Sequence, residues 1–196
     1  MSKNSLIKYI RKYDLELLML KNVKLEETCM QYRPESLFYD LMRDKNGIID
    51  LTMKNSPHRE FAFLYYRKGL KWLTKNFKNT KYCQFKSKIL NRDINVPMRK
   101  IRLFDSLKKG YLSKGFEKDY IVLLERPLVE TRYGVKCSEY SCPEVFMGHH
   151  RIGALLSCGV KKADVIIARD IASDSRQCFG KIHNIYKLLS NNESVN

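Results

Sequence analysis

The sequence predicts an α+β protein, with a small α/β unit in its C-terminal half preceded by a helical N-terminal region. Three observations lead there. Apolar residues recur at helical spacing over 5–21 and 57–77, the texture turns strand-like near residue 90, and 143–170 reads as strand, turn, helix, strand. Residues 1–90 are therefore expected as a helical extension or subdomain, 91–189 as the α/β domain and 190–196 as a disordered tail.

Composition supports a folded chain. Hydrophobic residues make up 44% and charged residues 30% of the 196 positions, away from the low-hydrophobicity signature of disorder. The excess of 37 Lys+Arg over 21 Asp+Glu gives a formal charge of +16, which favours nucleic acid, nucleotide or an anionic lipid surface without choosing among them. Six cysteines show no C-x-x-C pair, so reduced thiols and a cytoplasmic location are expected. Lys and Arg interrupt every apolar run, so neither a signal-peptide core nor a transmembrane segment is expected.

Leu6, Ile10, Tyr13, Leu17 and Leu20 form a stripe at intervals of three or four, which predicts an amphipathic helix over 5–21. Lys45-Asn46-Gly47 reads as a turn. Pro57 opens a second helix, carried by Phe61, Leu64, Tyr65, Leu70, Leu73 and Phe77 and weakened in its middle by Gly69. From Tyr65 to Lys88 basic and aromatic residues interleave, a texture that can stack bases and track phosphates or simply present solvated lysines over a buried face.

Beyond residue 90, INVPMRKIRLF at 94–104 reads as a strand and Asp105-Ser106 as the cap of a short helix. DYIVLLE at 119–125 is an apolar run of strand length. Val145–Met147 then make a short strand, Ile152, Leu155, Leu156 and Cys158 one helical face, Gly159 a C-terminal cap, and 163–168 a buried strand.

This pattern sets Gly148, His149, His150 and Arg151 at a helix start, where backbone N–H groups lack partners and the dipole end is positive. No Ser, Thr or Asp stands there as a cap. An external anion is the simplest group to complete such an entrance, and Gly148 lets it approach the backbone. The competing reading pairs Arg151 with a carboxylate such as Glu125 or Asp170, while the imidazoles merely fill hydrogen bonds.

Met147-Gly148-His149-His150-Arg151, followed by Ala154-Leu155 and Gly159, resembles the G-x-H-R or G-x-R-R helix-start motif of the ParB/sulfiredoxin superfamily. Val96-Pro97-Met98-Arg99-Lys100-Ile101 and Asp105-Ser106-Leu107 are similar to the strand and short helix that open those domains. The likeness covers roughly residues 94–172, and only the GHHR region is specific. It implies a small nucleotide-binding α/β fold in which the motif grips ATP or ADP phosphates, with CTP as the alternative nucleotide and Mg2+ as an accompanying ion. Members of the superfamily use the site for sulfinic acid repair, a DNA clamp, serine phosphorylation or nuclease activity, so fold alone does not choose.

Two departures narrow the choice. The cysteine that sulfiredoxins carry before the motif's His is His149 here, which disfavours repair chemistry. Only about 25 residues follow Asp170, where partition proteins carry a helix-turn-helix. The resulting expectation is a phosphotransferase acting on a small-molecule or sugar-like substrate, with Gly148, His149, His150 and Arg151 on the phosphates and Glu125, Glu144 or His150 as acid–base candidates. Glu130 and Glu139 also flank the region. The alternative is a nucleic-acid-binding or nuclease module using the basic surface. A zinc site drawn from Cys137, Cys142, Cys158, Cys178 and His149, His150 or His183 is disfavoured by irregular spacing, and no metal is assigned. Ser173–Arg176 reads as a polar turn leading to a last short helix ending near Leu189.

Overall fold

Four strands build one mixed sheet: β1 (Leu15–Lys24), β2 (Val122–Leu124), β3 (Glu144–Met147) and β4 (Lys162–Asp170), in the order β1-β4-β2-β3. The computed structural model describes residues 15–30, 36–43, 45–108, 121–124 and 143–170. β4 runs antiparallel to β1 and parallel to β2, and β3 closes the other edge antiparallel to β2. The parallel pair is apolar at consecutive positions, Ile121-Val122-Leu123 against Val165-Ile166-Ile167, and all six residues are buried. Strands covered on both faces carry such unbroken apolar runs. With the helices below, this is an α+β architecture.

The expected helix over 5–21 is corrected from Leu15 onward, where the chain is β1, while residues 1–14 lie outside the described residues. Leu17-Leu18-Met19-Leu20 is continuously apolar, a pattern that suits a strand as well as a helix. Pairing from Leu15↔Asp170 to Lys24↔Lys162 decides between them. The register shifts between Leu20 and Val23, where Asn22 takes φ +56 and its N–H donates to Asp164 Oδ1 at 3.0 Å.

Helix α1 (Ser36–Leu41) precedes the turn at Gly47, whose φ is +78 as that turn requires. Helix α2 (Pro57–Asn76) starts where expected, with Pro57 in its first turn and Ser56 Oγ accepting the Arg59 N–H at 3.1 Å. Gly69 interrupts it at φ +78 and ψ 171, so the weak point read from the sequence is a break between two helical halves. Helix α3 (Lys81–Gln84) follows, capped by Thr80, and runs into a π-helical turn over Phe85–Ile89.

The strand expected over 94–104 is instead helix α4 (Met98–Ser106), and Asp105-Ser106 close that helix rather than cap another. Ile101, Phe104 and Leu107 recur every three residues and are all buried, so the segment carries a helical stripe, not an alternation. The hydroxyl of Tyr66 on α2 donates to Phe104 O at 2.9 Å, fixing α4 across α2.

Helix α5 (His149–Ser157) lies between two apolar clusters. Its Ile152 and Leu155 pack with Ile121, Leu123, Val145, Val165 and Ile167 of the sheet and with Phe38, Met42, Met53 and Phe85. Ala154, on the other side, joins Phe61, Leu73, Phe77, Tyr82, Ile101 and Phe104. Each fully buried Leu, Ile or Phe contributes about 2–3 kcal/mol of transfer free energy. Residues on both sides of position 90 share these clusters, which brings α2 and α3 onto the entrance of α5.

Candidate functional site

The segment 143–170 folds as its pattern predicts. β3 ends at Met147, Gly148 turns the chain at φ +102 and ψ 11, and α5 begins at His149. A Cβ on Gly148 would lie 3.1 Å from Ile121 Cα, so both backbone sign and space call for glycine. Gly148, the N-cap residue, has no side chain with which to cap the helix. At the other end Gly159 takes φ +82, Gly159 N–H donates to Leu156 O at 3.2 Å and Val160 N–H to Leu155 O at 2.9 Å, the Schellman arrangement.

The two imidazoles of the motif do not stand in open solvent. His150 Nε2 lies 2.6 Å from the Tyr82 hydroxyl of α3, so this ring is turned onto a protein partner. Beneath both sits His58, 5% exposed, its ring 5.0 Å from that of His149 and 4.6 Å from that of His150. Tyr82 and Phe85 hold the other sides of His58, each at 5.3 Å. The buried Nδ1 of His58 has no hydrogen-bond partner among the described residues.

Gly153 explains the contact. A Cβ there would meet His58 C and O at 2.7 Å and Arg59 N at 2.9 Å, so only a bare glycine lets the first turn of α2 press against α5. Ser157 Oγ, one turn further along, donates to Arg59 O at 3.1 Å. Sequence reasoning missed His58, although a glycine inside a helical stripe signals close approach of another backbone.

Burial and positively charged groups depress two of the three rings. Burial, and then His150, His149 and Lys100, hold His58 well below the usual imidazole range. His150 is lowered likewise by burial, Lys100, His149 and Arg92. Burial raises the Tyr82 phenol. Both rings are therefore neutral at pH 7, in a positive field set by Arg92, just before α4, and Lys100, within it.

The remaining candidates divide. Arg151 stands in the first turn of α5, partly buried. Glu144 is buried at the start of β3, four residues before Gly148 and therefore about 13 Å away along the strand. Glu125, Glu130 and Glu139 lie outside the described residues, as do the turn at 173–176, Lys181, His183 and the tail at 190–196. Glu60, not singled out by the sequence, accepts the Tyr82 N–H at 3.3 Å, and burial raises its carboxyl.

Cysteine chemistry needs one correction. Cys83 and Cys158 are free thiols, but Cys29 is disulfide-bonded, which removes the cysteine argument for a cytoplasmic location. Spacing along the chain does not constrain a bond that depends only on proximity in the fold. Among the described residues no three His, Cys, Asp or Glu side chains converge as a metal site, and no helix is long and apolar enough to cross a membrane.

Comparison with protein-family models, with curated proteins and with solved structures finds no significant match to this chain.

Proposed function

We propose that this chain is a nucleotide-binding phosphotransferase of the ParB/sulfiredoxin kind, which holds the phosphates of ATP or ADP at the entrance of α5 and acts on a small-molecule or sugar-like substrate. The observation that supports it is the left-handed glycine between β3 and α5, an N-cap residue without a side chain of its own, followed at once by His149, His150 and Arg151. Helix starts of this build receive anions through backbone N–H groups and the dipole. The guanidinium of Arg151 adds a fork suited to phosphate oxygens. Mg2+ would neutralise part of the triphosphate charge, and CTP would enter the same entrance. His150, hydrogen-bonded to Tyr82, is the described acid–base candidate nearest that entrance.

Titrating ATP, ADP and CTP into wild type and Arg151→Ala tests the proposal. At least one nucleotide should bind, and the variant should bind it about tenfold or more weakly, since charge-assisted hydrogen bonds are worth about 1.5–3 kcal/mol. Equal, weak binding by both proteins would remove the site.

A second reading, a nucleic-acid-binding or nuclease module, has its own support. From Phe61 to Arg92 the sequence carries nine Lys and Arg and no Asp or Glu. Arg67, Lys68, Lys71, Lys75, Lys78, Lys88 and Arg92 are exposed, and none is in an ion pair among the described residues. Trp72 is 36% and Phe63 44% exposed between them. Binding of a single strand through this face should weaken steeply with added salt as counterions cease to be released. A salt-independent titration would exclude it.

A further inference from the structure

We infer that Trp72, with Lys71, Lys75 and Lys78 beside it, is a base-stacking platform that makes the outer face of α2 a binding surface for unpaired nucleic acid in preference to duplex. This rests on the second reading above, in which the basic face meets nucleic acid, and is independent of the phosphate entrance of α5. It goes further by assigning the base contact to one residue and by choosing single strands over paired ones.

Trp72 belongs to the short second half of α2, beyond the break at Gly69. Leu73 is fully buried there and packs with Phe61, Phe77 and Phe104, so the inner side of this segment is already spent on the core. Lys71, Trp72, Thr74 and Lys75 are exposed. Residues three and four apart are neighbours on a helix, which sets Lys75 beside both Trp72 and Lys71, and Lys78 continues the row in the turn that follows. An indole in such a row can take any unstacked base on its face while the cations follow the phosphates of the same strand. One turn before the break, Arg67 Cζ lies 6.0 Å from the centroid of the Phe63 ring, and a guanidinium stacked in this way offers a second flat, charged surface.

Gly69 shapes this face. Its φ of +78 and ψ of 171 belong to a region that only glycine adopts freely, and an added Cβ would meet nothing within 4 Å, so the backbone angle and not a close neighbour calls for glycine. In an unbroken helix Arg67, Lys71, Lys75 and Lys78 would follow one another at steps of four, four and three, and like charges at that spacing repel. The break parts Arg67 from the other three.

Charge and shape together choose the occupant. Residues 61–92 contain no Asp or Glu, and the Glu60 carboxylate before them is directed to the Tyr82 N–H at 3.3 Å, so the complement of this face is a polyanion. A lipid surface needs a broad apolar helix face, yet the exposed Leu70 and Trp72 stand about 200° apart around the helix and share none. A duplex keeps its bases stacked on one another, which leaves Trp72 without a partner. An unpaired strand satisfies the cations and the ring at once.

Trp72 is the single tryptophan of the chain, so its fluorescence reports this position alone. Oligothymidylate of about ten residues should quench that emission as it binds the full-length protein, and inorganic polyphosphate, which has charge but no bases, should bind without quenching it. The logarithm of the affinity should fall with the logarithm of salt at a slope of about −2 or steeper, since each phosphate neutralised on a single strand contributes about −0.7. Anisotropy of a labelled strand separates the two kinds of contact. Trp72→Leu should weaken binding about tenfold with the salt slope unchanged, and Lys75→Gln should reduce the slope by about 0.7 with the quenching retained. The duplex with oligoadenylate carries more charge per length, yet it should bind about tenfold more weakly than the strand.

Salt-dependent strand binding with Trp72 emission unchanged, with Trp72→Leu as tight as wild type, or with duplex bound as tightly as the strand, overturns the inference and leaves the basic face standing as a nucleic-acid surface. Failure of the strand to bind at low salt overturns that reading and this inference together, and a shift of Trp72 emission on vesicles of phosphatidylserine and phosphatidylcholine would then assign the face to a membrane.

Discussion

Two helices meet at Gly153, and their first turns are finished in opposite ways. α2 is closed from within, its Ser56 hydroxyl taking the Arg59 N–H at 3.1 Å behind a proline. α5 is opened at φ +102 by Gly148, which has no side chain to close it. The start of α2 satisfies a backbone donor with its own N-cap side chain, and the glycine that starts α5 has none to do so. Substitutions on the two helices should therefore separate into those that act on stability and those that act on binding.

Gly153→Ala should have the largest effect. Its new Cβ would press into His58 backbone atoms at 2.7 Å rather than into a flexible side chain. Overpacking of this kind costs about 3 kcal/mol, to be read from urea unfolding with CD, and it would also spread His58 from its partners. An unchanged midpoint would show that α2 and α5 yield easily, and the contrast between the two helix starts would lose its structural basis.

Acid should act next. His58 and His150 are depressed in the folded state, so the unfolded chain binds more protons once the pH falls below its ordinary imidazole value near 6.5. Stability is then lost as pH drops, by up to about 1.4 kcal/mol per unit for each ring until the folded-state value is reached. Urea midpoints from pH 7 to 5 should fall along that slope. A flat profile would place both rings in contact with solvent.

Gly148→Ala should destabilise by about 1–2 kcal/mol because an L side chain is strained at positive φ, and it should also weaken nucleotide binding. Ser56→Ala, the corresponding change on α2, should cost about 1 kcal/mol in thermal unfolding and leave nucleotide affinity as it was. If Ser56→Ala weakened nucleotide binding as much as Gly148→Ala, the two helix starts would not differ in the way described.

The legible and illegible parts of the molecule differ for physical reasons. β3, Gly148, α5, Gly159 and β4 could be read because each boundary is set by local chemistry: a glycine that tolerates positive φ, the apolar run Val145–Met147, a helical stripe of Ile152 and Leu155. β1 could not, because Leu17–Leu20 is apolar at every position and only its ladder to β4 settles the conformation. α4 was misread because Met98, Ile101 and Leu103 mimic alternation, while the deciding partners, Tyr66 and Phe61 of α2, lie far away in sequence. His58 was hidden for the same reason. Its role depends on a backbone approach that Gly153 permits, and no spacing between residues 58 and 150 encodes it.

The placement of β1 also bears on how the molecule is made. A chain synthesised from its N-terminus presents Leu15–Lys24 to solvent long before Lys162–Asp170, its hydrogen-bonding neighbour, has been translated. Until then the apolar run Leu17–Leu20 is an unpaired edge able to join another nascent chain. So distant a contact closes slowly, which lengthens the time for which that edge is exposed to aggregation.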